Sequence, residues 1–150
     1  MPERWLVSAC LLGEACRYDG RSKGHRRVAE VVADAQRRGV EIVAVCPESQ
    51  GGLPTPRPAA DLRNGDGHAV LEGRAMVATV EGDHDVTAAF LAGAAAAAQP
   101  CTRALLKARS PSCGVGTTHI DGRVGAGDGV FAATLRRAGV VLQTEDDLDD

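Results

Sequence analysis

Four short apolar runs, at residues 5–9, 41–45, 103–107 and 140–143, set the tightest limit on how this chain can fold. Each has the length of a strand buried on both faces and is too short for a core helix. The segments between them have helical periodicity. Val28, Val31, Val32 and Ala35 fall on one face of a helix over 28–38, which Gly39 would end. The alanine-rich stretch 86–98 reads as a helix packed closely on a sheet, with Asp83 or Asp85 as its cap. Residues 129–138 read as another, capped by Asp128 and ended by Gly139. A shorter strand is expected at 75–80, a stiff loop where Pro47, Pro54, Pro56 and Pro58 cluster, and a turn over 110–116. Alternation of this kind predicts a single-domain α/β fold, a three-layer sandwich with a mainly parallel sheet of Rossmann-like type. Residues 1–144 form that domain in this reading, and the acidic tail 145–150 is expected to fray.

Composition narrows the function classes. The formal net charge of −3 over 150 residues gives no global basic field, so a duplex nucleic acid partner is not expected. The basic cluster Lys23, His25, Arg26 and Arg27 is local and reads first as a solvated loop or helix start, and second as an anion site. The first apolar run is too short for a signal-peptide core or a membrane span, so no membrane partner is expected and a cytoplasmic location is the default. Five cysteines in such a compartment argue against a disulfide framework.

The thiols therefore need another explanation, and their positions supply one. Cys10 follows the first strand, Cys46 the second, and Cys113 lies just beyond the third. In an open parallel sheet the carboxyl ends of the strands share one edge, where ligands bind. Three thiols distant in sequence would meet there, each beside Gly or Pro. A single buried thiol is usually a small hydrophobe, the role assigned here to Cys101; Cys16 is intermediate. Structural zinc normally takes four ligands with paired C-x-x-C spacing, which is absent, although Cys16 or His25 would be conceivable fourth ligands. Three thiolates around one open position suit a cubane iron–sulfur cluster with one undercoordinated iron. His25 and His119 show no ligand spacing.

At these residues a family pattern emerges. Ser8-Ala9-Cys10-Leu11-Leu12-Gly13 with Cys16-Arg17-Tyr18-Asp19-Gly20 resembles the opening motif of the 2-thiouracil desulfurase family. Cys46-Pro47-Glu48 with Gly51-Gly52-Leu53 and Pro56-Arg57 is similar to its second block, and Asp85-Val86-Thr87 with Phe90 to its third. Leu106-Lys107, Ser110-Pro111-Ser112-Cys113-Gly114 and Gly127-Asp128-Gly129-Val130 resemble the remaining blocks. Ala59-Ala60-Asp61 departs from the Pro-Ala-Glu more frequent there, and 117–126 is shorter than usual.

The resemblance implies a 4Fe-4S cluster with Cys10, Cys46 and Cys113 as ligands and one open iron site. It implies removal of sulfur from 2-thiouracil or a related thiolated pyrimidine, giving uracil and hydrosulfide without net redox change. The partner is then a small-molecule thio-base; monomer and homodimer are not distinguished. Glu48, two residues after a ligand, is the candidate for acid/base work, and Ser112 the second catalytic candidate. Ser110, Asp19 and Arg57 are candidates for substrate contact, with turn chemistry or a loop ion pair as their alternatives. Two further readings stay open: a non-enzymatic cluster- or metal-binding module, and a thiol carrier using Cys10 or Cys16 as a persulfide.

Overall fold

The computed structural model describes residues 3–15, 18–19 and 24–148. In chain order its elements begin with β1 (Arg4–Ser8), a 3₁₀ turn (Ala9–Leu12), α1 (Arg26–Arg37), β2 (Glu41–Val45) and α2 (Pro47–Gln50). There follow β3 (Ala60–Arg63), α3 (Gly67–Leu71), β4 (Met76–Thr79), α4 (Thr87–Ala97) and β5 (Arg103–Leu106). The hairpin strands β6 (Thr117–Ile120) and β7 (Arg123–Ala126), α5 (Val130–Arg137), β8 (Val141–Thr144) and a 3₁₀ turn (Glu145–Leu148) complete the chain.

The four apolar runs pair as one parallel sheet in the order β2-β1-β5-β8. Trp5 lies beside Ile42 on one side and Arg103 on the other, and Arg103 beside Val141. Alternate residues of β1 serve opposite faces. Trp5 and Val7 pack with Val28, Val32 and Ala35 of α1, while Leu6 joins Phe90 and Ala94 of α4 and Phe131 of α5. Helices thus cover both faces, giving the expected α/β sandwich with a mainly parallel sheet. A second, mixed sheet, β4-β3-β6-β7, was anticipated only at β4; its Leu62 and Val77 close the same core beyond α4 and α5.

Strand order reverses at β1, so the crevice at the carboxyl ends of β1 and β5 is the favoured binding position in such a sheet. One close approach fixes its wall. A Cβ on Gly93 would stand 1.9 Å from the Pro47 carbonyl oxygen, and one on Gly51 would stand 2.1 Å from that of Ala89. Backbone therefore packs directly on backbone where α2 meets α4, and α2 carries Glu48. Gly93→Ala is expected to destabilise the protein by about 1–3 kcal/mol in chemical denaturation. The gain that Gly→Ala ordinarily brings inside a helix would contradict this account.

His25 lies at the helix start and caps α1, its Nδ1 accepting the Val28 N–H at 3.3 Å. Two expectations are corrected. Asp128 does not cap α5, because carbonyls of the loop after β5 take that role: Val130 N–H donates to Pro111 O and Phe131 N–H to Ser112 O. Asp128 instead accepts from Gly116 N–H at 2.9 Å, Arg136 Nε at 2.7 Å and bonds His68 Nε2 at 2.9 Å. Burial alone would raise its pKa, but these partners, Arg136 foremost, hold it down at about 2. Its stabilising contribution is therefore complete above its unfolded pKa and lost as pH falls from about 4 through about 2. Asp128→Asn is expected to flatten that limb of an acid-unfolding curve. Finally, residues 145–148 do not fray. Glu145 is buried, accepting the Ala108 N–H at 2.7 Å and pairing with Lys107 Nζ at 2.8 Å.

Candidate metal centre

Cys10, Cys46 and Cys113 all line one cavity of about 430 Å³ at the carboxyl end of the parallel sheet. Each arrives by a different local device. Cys10 sits in the 3₁₀ turn directly after β1 and is buried. Cys46 ends β2 as the residue before α2, where Pro47 occupies the first helical position that suits its missing N–H. Its backbone N–H donates to Gln50 Oε1 at 2.9 Å, and its Sγ lies 3.2 Å from Ser49 Oγ. Cys113 closes the Ser110-Pro111-Ser112 loop, its N–H donating to Ser110 Oγ at 2.8 Å. The α5 N–H groups that bond Pro111 and Ser112 hold this loop from below. A Cβ on Gly129 would fall 2.5 Å from the Ser112 carbonyl carbon, so the contact leaves no slack.

Burial pushes the Cys113 thiol up to about 11, against hydrogen bonds from Ser8 and Ser112 and together with the nearby Glu48 and Cys46. Without a cation it holds its proton at neutral pH, and binding a soft metal must displace that proton.

Glu48 reaches the same wall from α2. Its Oε1 accepts from Arg57 Nε at 3.1 Å and its Oε2 from Ser112 Oγ at 3.0 Å. A carboxylate, a hydroxyl and a ligand-type thiol are thereby joined across residues far apart in sequence. Arg57 is almost fully buried and also donates to Pro54 O and Thr55 Oγ1. It lines the cavity and also forms the loop ion pair with Glu48. Ser110 lines the cavity and builds the turn under Cys113. Asp19 is not among the lining residues; its neighbour Tyr18 is. Cys16 and Arg17 lie outside the described residues.

The structure adds residues that sequence reasoning left aside. Lys107, Arg109, Asp61 and His119 also line the cavity. Asp61 is buried and accepts from Gly122 N–H at 2.7 Å and Arg63 Nε at 2.6 Å, tying β3 to the β6–β7 turn. Lys107 stood in a quoted motif, but only the fold brings Glu145 beside it. Cys101 packs against the core, as expected.

The donor set fits a polynuclear iron–sulfur group. Cys10, Cys46 and Cys113 are not joined in disulfides, and thiols are soft ligands suited to such clusters. Among the described residues, no three His, Cys, Asp or Glu side chains converge on a single ion. The thiols instead surround a cavity with room for a larger group.

A thiol-lined crevice at the topological switch of a parallel sheet, with a carboxylate–hydroxyl pair on its wall, is the candidate site of this small α/β protein. The comparisons make this specific. The model of the 2-thiouracil desulfurase family matches residues 5–147, and the chain belongs to that family. It is 42% identical to a solved 4Fe-4S-dependent thiouracil desulfidase, TudS, covering 97% of this chain and 93% of that one with a TM-score of 0.78. It is 37% identical to the uncharacterized protein YbbK of Bacillus subtilis (strain 168), over 97% of both chains. Among the described residues no helix is long and apolar enough to cross a membrane.

Proposed function

We propose that this protein is an iron–sulfur-dependent desulfurase that converts 2-thiouracil or a related thiolated pyrimidine to uracil and hydrosulfide without net redox change. The observation that carries this reading is the meeting of Cys10, Cys46 and Cys113 with the Glu48–Ser112 pair on one cavity. A 4Fe-4S cluster held by those three cysteines would supply, at its open iron, a Lewis acid with affinity for sulfur.

The protein's own groups do the rest. Water adds its oxygen at the thiocarbonyl carbon, the C–S bond breaks, and sulfur keeps the bonding pair; thiocarbonyl and water become carbonyl, hydrosulfide and a proton. Glu48 takes a proton from that water at Oε2, the oxygen now accepting from Ser112. Arg57 keeps the carboxylate from swinging away. Ser112 donates its hydroxyl proton to Glu48, leaving its oxygen lone pairs to accept an N–H from the pyrimidine ring. Cys10, Cys113 and Val45 form a buried part of the cavity lining.

The test is to prepare the protein anaerobically with iron and measure uracil and sulfide from a panel of thiopyrimidines and thionucleosides. Equal amounts of both products, without added reductant, are expected. A protein that holds its cluster and releases sulfide from none of them would reduce it to a cluster-binding module.

A further inference from the structure

Lys107 stands between β5 and the loop that carries Cys113, and its backbone N–H donates to Ser8 Oγ at 2.9 Å. Its side chain is only 15% exposed and lines the same cavity as the three thiols. An ammonium has three N–H donors. One is taken by Glu145 Oε2 at 2.8 Å and one by Ala108 O at 3.3 Å, which leaves one for whatever the cavity holds. Glu145 is itself fixed, since its Oε1 accepts from Ala108 N–H at 2.7 Å, and it does not line the cavity. The pair is therefore asymmetric: its carboxylate faces backbone, while Lys107 belongs to the cavity lining. A buried ion pair is a poor way to gain stability compared with apolar residues of the same size, so the fold alone does not account for it. The neighbouring Arg57 is engaged with Glu48, and Arg109 is half-exposed and paired with Asp146.

We infer that Lys107 is a catalytic residue whose free N–H hydrogen-bonds the departing sulfur and stabilises it as an anion. The inference rests on the desulfurase reading and assigns a group to its sulfur side, opposite in role to Glu48. When the C–S bond breaks, the electron pair moves to sulfur, which leaves as hydrosulfide; Lys107 keeps its proton and donates only a hydrogen bond. Charge-assisted bonds of this kind are the strong ones, and they count most in a dry site.

The test compares iron-loaded wild type with the double variant K107M/E145Q and with K107R. Removing both charges avoids a buried unpaired carboxylate. The double variant is expected to keep its iron and thermal midpoint. Its kcat for sulfide release should fall about 10- to 100-fold with little change in KM. Binding of added hydrosulfide, followed by visible absorption, should weaken by a similar factor, while K107R retains most of both. An iron-loaded double variant with wild-type kcat and hydrosulfide affinity would overturn the inference. If it does not load iron, K107Q/E145Q is read in the same way. Failure of both to load while K107R loads would assign Lys107 to folding and equally overturn it. Wild type that binds hydrosulfide but desulfurates no thiopyrimidine would instead sink the desulfurase reading, with the hydrosulfide titration still reporting on Lys107.

Discussion

Glu48→Gln is expected to lower the rate of sulfide release by about 10²- to 10⁴-fold while leaving iron content and visible colour unchanged. The amide keeps the shape of the side chain: its carbonyl oxygen can still accept from Arg57 Nε, 3.1 Å away, and its N–H can donate to Ser112 Oγ, 3.0 Å away. It cannot take a proton from water. Ser112→Ala should cost less, because it removes one hydrogen-bonding partner and leaves the carboxylate in place. Equal rates for wild type and Glu48→Gln would move the proton transfer to another cavity group and break the assignment made here.

Cys113→Ala is expected to abolish the cluster and reduce sulfide release below detection. Cys113 is 4% exposed, and the loop around it is fixed by Ser110, Gly114 and the start of α5. No neighbouring described cysteine stands on that wall to replace it. Cys46→Ala and Cys10→Ala should behave alike, since each thiol comes from a separate strand end. Cys101→Ala is the control: that thiol lies against the hydrophobic core away from the cavity, and iron and activity should persist. A Cys113→Ala protein that stays brown and active would remove Cys113 from the ligand set.

The parallel sheet was legible because its strands are continuous apolar runs flanked by helix-period segments, and strand-end placement alone suggested that Cys10, Cys46 and Cys113 would meet. The second sheet, apart from β4, was not. In β3 only Leu62 is a buried large apolar residue, flanked by the charged Asp61 and Arg63, and the bond from Gly122 N–H that ties Asp61 to the hairpin is a tertiary fact. β7 is largely exposed and carries no alternation to read. Its hairpin turns at Asp121 and Gly122, both with positive φ, a dipeptide that favours such turns but was flanked by too little pattern to define strands. Within the site, Glu48 and Ser112 could be nominated from their distance to ligands in sequence. Their hydrogen bond to each other spans 64 positions and needed the fold. Glu145 was hidden for a different reason: an acidic tail reads as solvated unless a buried lysine is known to wait for it.

The account's central claim is a cluster held by three cysteines with one iron free of thiolate. A Mössbauer spectrum of the anaerobically prepared, iron-enriched protein, read with its metal content, tests this most directly. About four irons per chain are expected, with one site distinct from the other three. Stoichiometric zinc without iron, or four spectroscopically equivalent thiolate-bound irons, would contradict it.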